Sequence, residues 1–79
     1  MSIYNILAEN HKKIVVAVAK EGIVQKPSSI DFLMKYKLPS ASSTLQAIKA
    51  LTFKEITYKT SEGYVVYDVF FKRFLEKYF

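Results

Sequence analysis

Ser42, Ser43, Gln46 and Lys49 lie in a stretch, residues 40–52, whose apolar positions recur at helical spacing. A Gln side chain can bond adenine through two hydrogen bonds at once. Ser can bond a base edge or a phosphate, and Lys neutralises phosphate charge. Counted at about 100° per residue, Leu45, Ile48 and Leu51, with Ala41 and Thr44, fall on the side expected to face a core. Ser43, Gln46 and Ala50 project the opposite way, flanked by Ser42 and Lys49 on one edge and Ala47 on the other. The small residues of this strip would let the helix sit deep in a groove of duplex DNA. Ser and Ala are equally ordinary on a solvated helix face, however, and the strip lacks Arg, the source of the commonest base-specific contact. It is compatible with DNA and does not demand it.

Groups able to hold phosphates stand nearby in sequence: Lys37 and Ser40 ahead of this helix, and Lys59 beyond it. Twelve Lys/Arg against seven Asp/Glu give a formal net charge of +5, which favours polyanionic partners through counterion release. The cations are spread along the chain, and Glu62 would repel a phosphate backbone. Weak or sequence-blind binding of double-stranded DNA is the expectation.

Catalysis is not expected of these residues. Cysteine is absent, which removes disulfides, thiolate metal sites and cysteine nucleophiles. His11 is the single histidine, set in the polar run Asn10-His11-Lys12-Lys13 and expected to be exposed near a helix start. Gly22 and Gly63 are far apart, and neither precedes Lys-Ser/Thr, so no phosphate-cradling loop can form. The seven acids are scattered singly without metal-ligand spacing. No cofactor or metal is expected in this chain.

The elements that must position the strip follow from the rest of the sequence. Seventy-nine residues make one domain, 1–79, and at 51% hydrophobic and 15% aromatic it can build a dense small core. The longest uninterrupted apolar run, 14–19, is too short to cross a bilayer or serve as a signal segment, so a soluble, cytoplasmic domain is expected. Ile3, Ile6, Leu7, Ile14, Val15 and Val18 predict a helix over roughly 3–20, with a possible break near Asn10 and an end at Gly22. Residues 23–25 read as a short extended stretch. Ser28 is expected to begin a second helix with Asp31 three residues on and a stripe of Ile30, Leu33 and Met34. Leu38-Pro39 makes a tight connector, and Ser40 caps a third helix. The period then changes from 3.6 to 2: residues 56–60 and 64–67 alternate around Ser61-Glu62-Gly63 and read as a hairpin. Asp68 caps a last helix, 69–78.

Two short helices joined by a tight turn and followed by a hairpin form a winged helix-turn-helix, which commonly lays its second helix in a DNA major groove. The fold class is α+β, mainly α: a three-helix core, a short hairpin wing and an additional C-terminal helix. In that last helix Phe70, Phe71, Phe74, Leu75, Tyr78 and Phe79 spread over about half the circumference. With Phe70, Phe74 and Tyr78 packed inward, Phe71, Leu75 and Phe79 are expected to form a docking patch for another domain or a second copy.

Three stretches carry a family resemblance: His11-Lys12-Lys13-Ile14, Leu38-Pro39-Ser40-Ala41-Ser42-Ser43, and the run from Tyr64 through Asp68 to Phe71. Together they resemble the C-terminal winged-helix domain of the archaeal and bacterial AAA-type P-loop ATPases. Val69 stands where that family usually has proline, at a first helical position that favours proline without requiring it. The resemblance implies that these residues are the C-terminal module of a larger ATP-binding protein. Its nucleotide site, with ATP and magnesium, would lie in preceding residues. It also implies a winged helix that binds DNA or contacts partner subunits, the last helix packing on the remainder of the parent ATPase. Two other functions fit the same residues: a protein-interaction module of that ATPase, and a free-standing small transcriptional regulator acting as a dimer.

Overall fold

The computed structural model describes residues 7–79. The Ile3 and Ile6 part of the expected first helix lies outside these residues. Helix α1 spans Glu9–Glu21 and starts without a side-chain cap at Ala8, so Asn10 lies inside its first turn and does not cap it. It closes at Gly22, whose φ of 85° is open to glycine and whose N–H reaches the Val18 carbonyl. Ile14, Val15, Ala17, Val18 and Ala19 are all buried. They span about 200° of the helix surface at ~100° per residue, wide enough to be covered from two sides. Two other helices do so, α3 (Ala41–Phe53) and α4 (Val69–Tyr78), making α1 the centre of the core.

Between α1 and α3 lies the short helix α2, Ile30–Lys35. Its start corrects the sequence expectation by one residue. Lys26-Pro27-Ser28-Ser29 closes as a turn, the Ser29 N–H bonding the Lys26 carbonyl, so the helix begins later. Ser29, not Ser28, is the cap, its Oγ accepting from the Phe32 N–H at 3.3 Å. The expected stripe also changes: Ile30 and Met34 are exposed, and Phe32 is the buried anchor, edge-to-face with Tyr36.

The turn after α2 depends on Lys37, which holds a left-handed φ of 53°. The Lys37 N–H bonds the Met34 carbonyl and the Leu38 N–H bonds the Leu33 carbonyl, the paired bonds of a Schellman motif. Glu55 repeats this at the end of α3 with φ 63°, its N–H reaching Thr52 while Ile56 reaches Leu51. Neither residue is glycine, so each turn carries strain of about 1 kcal/mol.

Strands β1 (Thr57–Thr60) and β2 (Gly63–Val66) pair antiparallel with Thr57 opposite Val66 and Thr60 opposite Gly63. The Thr60 hydroxyl accepts from the N–H groups of Glu62 and Gly63, locking the two-residue turn. On its other edge β2 meets the extended stretch expected at 23–25: Val24 and Tyr64 exchange both backbone bonds at 2.9 Å. Asp68 then caps α4 twice, accepting from Phe70 and Phe71, and Val69 takes the first helical position.

Within α4 the docking patch expected of Phe71, Leu75 and Phe79 is corrected. Phe71 and Leu75 are 2% and 0% exposed and belong to the core, whereas Phe70 and Tyr78 lie outside it. The four-residue spacing of Phe71 and Leu75 forms the narrow stripe that meets α1. Burying such side chains contributes about 1.5–3 kcal/mol each. Phe74 is half-buried beside them, and Phe79 is half-exposed. Lys20 of α1 donates to the Phe79 carbonyl.

Candidate nucleic-acid interface

Helix α3 buries Thr44, Ala47, Ile48 and Leu51 against α1. This core line is rotated by roughly 50° from the one drawn on sequence, on the ~100°-per-residue count. Ala47, expected on the outward strip, is buried, while Leu45 is half-buried. On the same ~100° count Ala47 and Ile48 mark the two edges of the buried face, with Thr44 and Leu51 between them.

The residues placed most fully in solvent are Ser42, Gln46, Lys49 and Phe53. Spaced by four, three and four, they form one line diametrically opposite the core. Ser43 and Ala50 sit half-buried at its edges. Phe53, 88% exposed, lies one residue past the expected end of the helix at 52 and so falls outside the strip read from the sequence. Its four-residue spacing from Lys49 is the sequence signal that places it on this line.

The expected serines divide by role. Ser42 is free on the exposed line. Ser40 caps α3, its Oγ accepting from the Ser43 N–H and donating to the Ser43 Oγ, both at 3.2 Å. Those hydroxyls bond each other first, and what remains of Ser40 faces solvent. Lys37 is exposed at the left-handed position of the turn into α3. Lys59 is exposed on β1, its ammonium 5.8 Å from the ring centre of Tyr64, its partner across the hairpin. The structure therefore brings Ser42, Gln46 and Lys49 onto one line, and sets Lys37 before it and Lys59 after it.

Acidic groups border this surface. Glu62 is exposed at the hairpin turn, and Glu55 is exposed just beyond Phe53. Tyr58 and Tyr67 stack edge-to-face across the base of the hairpin with ring centres 5.5 Å apart. His11, expected to be exposed, is half-buried in the first turn of α1.

A second polar cluster ties α1 to α2. Glu21 accepts from Lys35 at 3.0 Å and from the Tyr36 hydroxyl at 2.8 Å. The Lys35 hydrogen bond, with that of Tyr36, holds the Glu21 carboxyl below its ordinary value. The same bond raises Lys35. Burial, then the bond to Glu21, raises the Tyr36 phenol. The cluster fixes the end of α2, from which the turn into α3 departs.

Among the described residues no group of three or more His, Asp or Glu could hold a metal ion, and no helix is long and apolar enough to cross a membrane.

A central helix covered by two others, a short helix and tight turn before an exposed helix, and a hairpin edged by a third extended segment define a winged helix. Residues 1–77 match the family model described as "Probable winged helix domain", and the chain belongs to that family. Neither the comparison with curated proteins nor that with solved structures finds a match.

Proposed function

We propose that the chain is a binding module for double-stranded DNA that does no catalysis of its own. Helix α3 enters the major groove. The observation that carries the reading is the single exposed line of Ser42, Gln46 and Lys49 on the helix after the tight turn, opposite the core. Gln46 and Ser42 supply base-edge bonds, and Lys49 neutralises phosphate or bonds a base. Lys37 and Lys59 hold the backbone on either side, joined by the outward part of Ser40. With no Arg on the line and acids at its border, affinity comes mainly from phosphate contacts and sequence preference is modest. A labelled random duplex titrated at low salt tests this: the expected result is saturable binding that weakens steeply with added salt. Absence of binding removes the proposal.

The resemblance to the C-terminal domain of AAA-type ATPases supports a finer reading, in which this winged helix is the DNA-contacting module of a larger ATP-binding protein. ATP and magnesium would be held by a preceding domain. The gene sequence ahead of Met1 tests it, through the presence or absence of a Gly-rich loop ending in Gly-Lys-Ser/Thr.

A second reading, a protein-interaction module, draws on the exposure of Phe53 and Phe70, at 88% and 81%. Reversing the charges of Lys49 and Lys59 together separates the two. Loss of duplex affinity supports the DNA module, and unchanged activity of a parent protein supports the interaction module.

A further inference from the structure

The C-terminal end of α3 and the base of the hairpin enclose an open cleft of about 300 Å³, lined by Thr52, Glu55, Thr57, Tyr58 and Tyr67. Its lining carries one charged side chain, the acid Glu55, and no cation. Glu55 brings a carboxylate that makes no ion pair among the described residues. The left-handed backbone at Glu55, fixed by the two Schellman bonds, sets the direction in which that side chain leaves the helix end. Helix α3 ends at this point, and the carbonyl end of a helix carries partial negative charge. Tyr58 and Tyr67 meet at 78°, so their ring faces form a corner, and both rings remain exposed to solvent. The Thr52 and Thr57 hydroxyls bond each other at 2.9 Å; Thr57 is fully buried, so this pair braces the cleft lining and leaves only the half-buried Thr52 within reach of an entering group.

A carboxylate, a helix C-terminus and two aromatic faces all favour positive charge. A phosphate entering the same space would meet Glu55. We infer that this cleft is a receptor for an organic cation, the guanidinium of an arginine or the ammonium of a methylated lysine on a partner protein. The inference does not depend on DNA binding, because the nucleic-acid reading uses Ser42, Gln46 and Lys49 with Lys37, Ser40 and Lys59, none of which lines this cleft.

Titration of the ¹⁵N-labelled chain with N-acetyl-arginine amide and with N-acetyl-trimethyllysine amide tests it, with N-acetyl-glutamine amide as the uncharged control. Saturable shifts of the Glu55, Thr57, Tyr58 and Tyr67 amides with at least one cation, at millimolar dissociation constants (about 1–20 mM), are expected. Glu55→Gln should weaken that binding by about threefold or more. Tyr67→Leu, at an exposed position, serves as the second variant and should do the same. The proposal is overturned if neither cation saturates these amides, if the uncharged control shifts them equally, or if both variants bind as tightly as the parent.

Discussion

The Val24 carbonyl oxygen lies so close to Gly63 that a β-carbon added there would come within 2.5 Å of it. Gly63 also adopts a φ of 144°. It opens β2 at the hairpin turn, next to the residue through which the 23–25 segment pairs. The wing and that segment are therefore held together at a point where no side chain fits. Gly63→Ala is expected to lower stability by about 1–3 kcal/mol, read as a reduced urea midpoint with unchanged slope. An unchanged midpoint would mean that the Val24 segment does not bind the wing in solution.

Lys37 makes the opposite case. Its left-handed backbone costs energy that glycine does not, so Lys37→Gly should stabilise the fold by about 1 kcal/mol. The same change removes a cation proposed to hold phosphate, so duplex affinity should fall while the thermal midpoint rises. This divergence of stability and binding is measured by thermal denaturation and duplex titration of one variant.

The hairpin and the cap of α3 were legible in the sequence, and the turns that orient α3 were not. Alternation from Ile56 to Tyr67 around a glycine has one reading, and Ser40 after Leu38-Pro39 has one reading. Lys37 and Glu55 carry no such mark, because left-handed caps are recognised by glycine and tertiary packing has imposed them here on other residues. The exposed line of α3 lies about half a residue step from the strip expected on sequence: Ser42, Gln46 and Lys49 belong to both, Ser43 and Ala50 turn to the half-buried edges, Ala47 is buried and Phe53 joins the line. On α4 the aromatics occupy so much of the circumference that period could not select the buried face. Contact with α1 selects Phe71 and Leu75.

Thr44 is fully buried, and its hydroxyl has no hydrogen-bond partner among the described residues. Valine keeps the shape and removes the unsatisfied group. Thr44→Val should raise stability by about 1 kcal/mol, whereas Thr44→Ala should lower it by opening a void. Chemical denaturation of the two variants side by side reads the sign of each change.

The Glu21 cluster sets a pH window. Glu21 titrates below its ordinary 4.5 in the folded chain, so its contribution is complete above that value and is lost as pH falls through the folded one. Lys35 and Tyr36 titrate above their ordinary 10.5 and 10.0. Their contributions are complete below those values and are lost as pH rises through the folded ones. Urea midpoints measured across pH should decline outside this window, and Glu21→Gln should reduce both declines. Because the pair is solvent-exposed, added salt should shrink the effect.

The groove-facing line of α3 is tested most directly by the salt dependence of duplex binding in Lys49→Ala, beside Lys77→Ala on the exposed surface of α4. The parent chain should bind a random duplex at low salt with a dissociation constant of about 10⁻⁶–10⁻⁴ M. Lys49→Ala should weaken this binding and reduce the log–log salt slope by about 1, while Lys77→Ala leaves both unchanged. Equal effects of the two substitutions, or no binding by the parent chain, would contradict a DNA-reading role for α3.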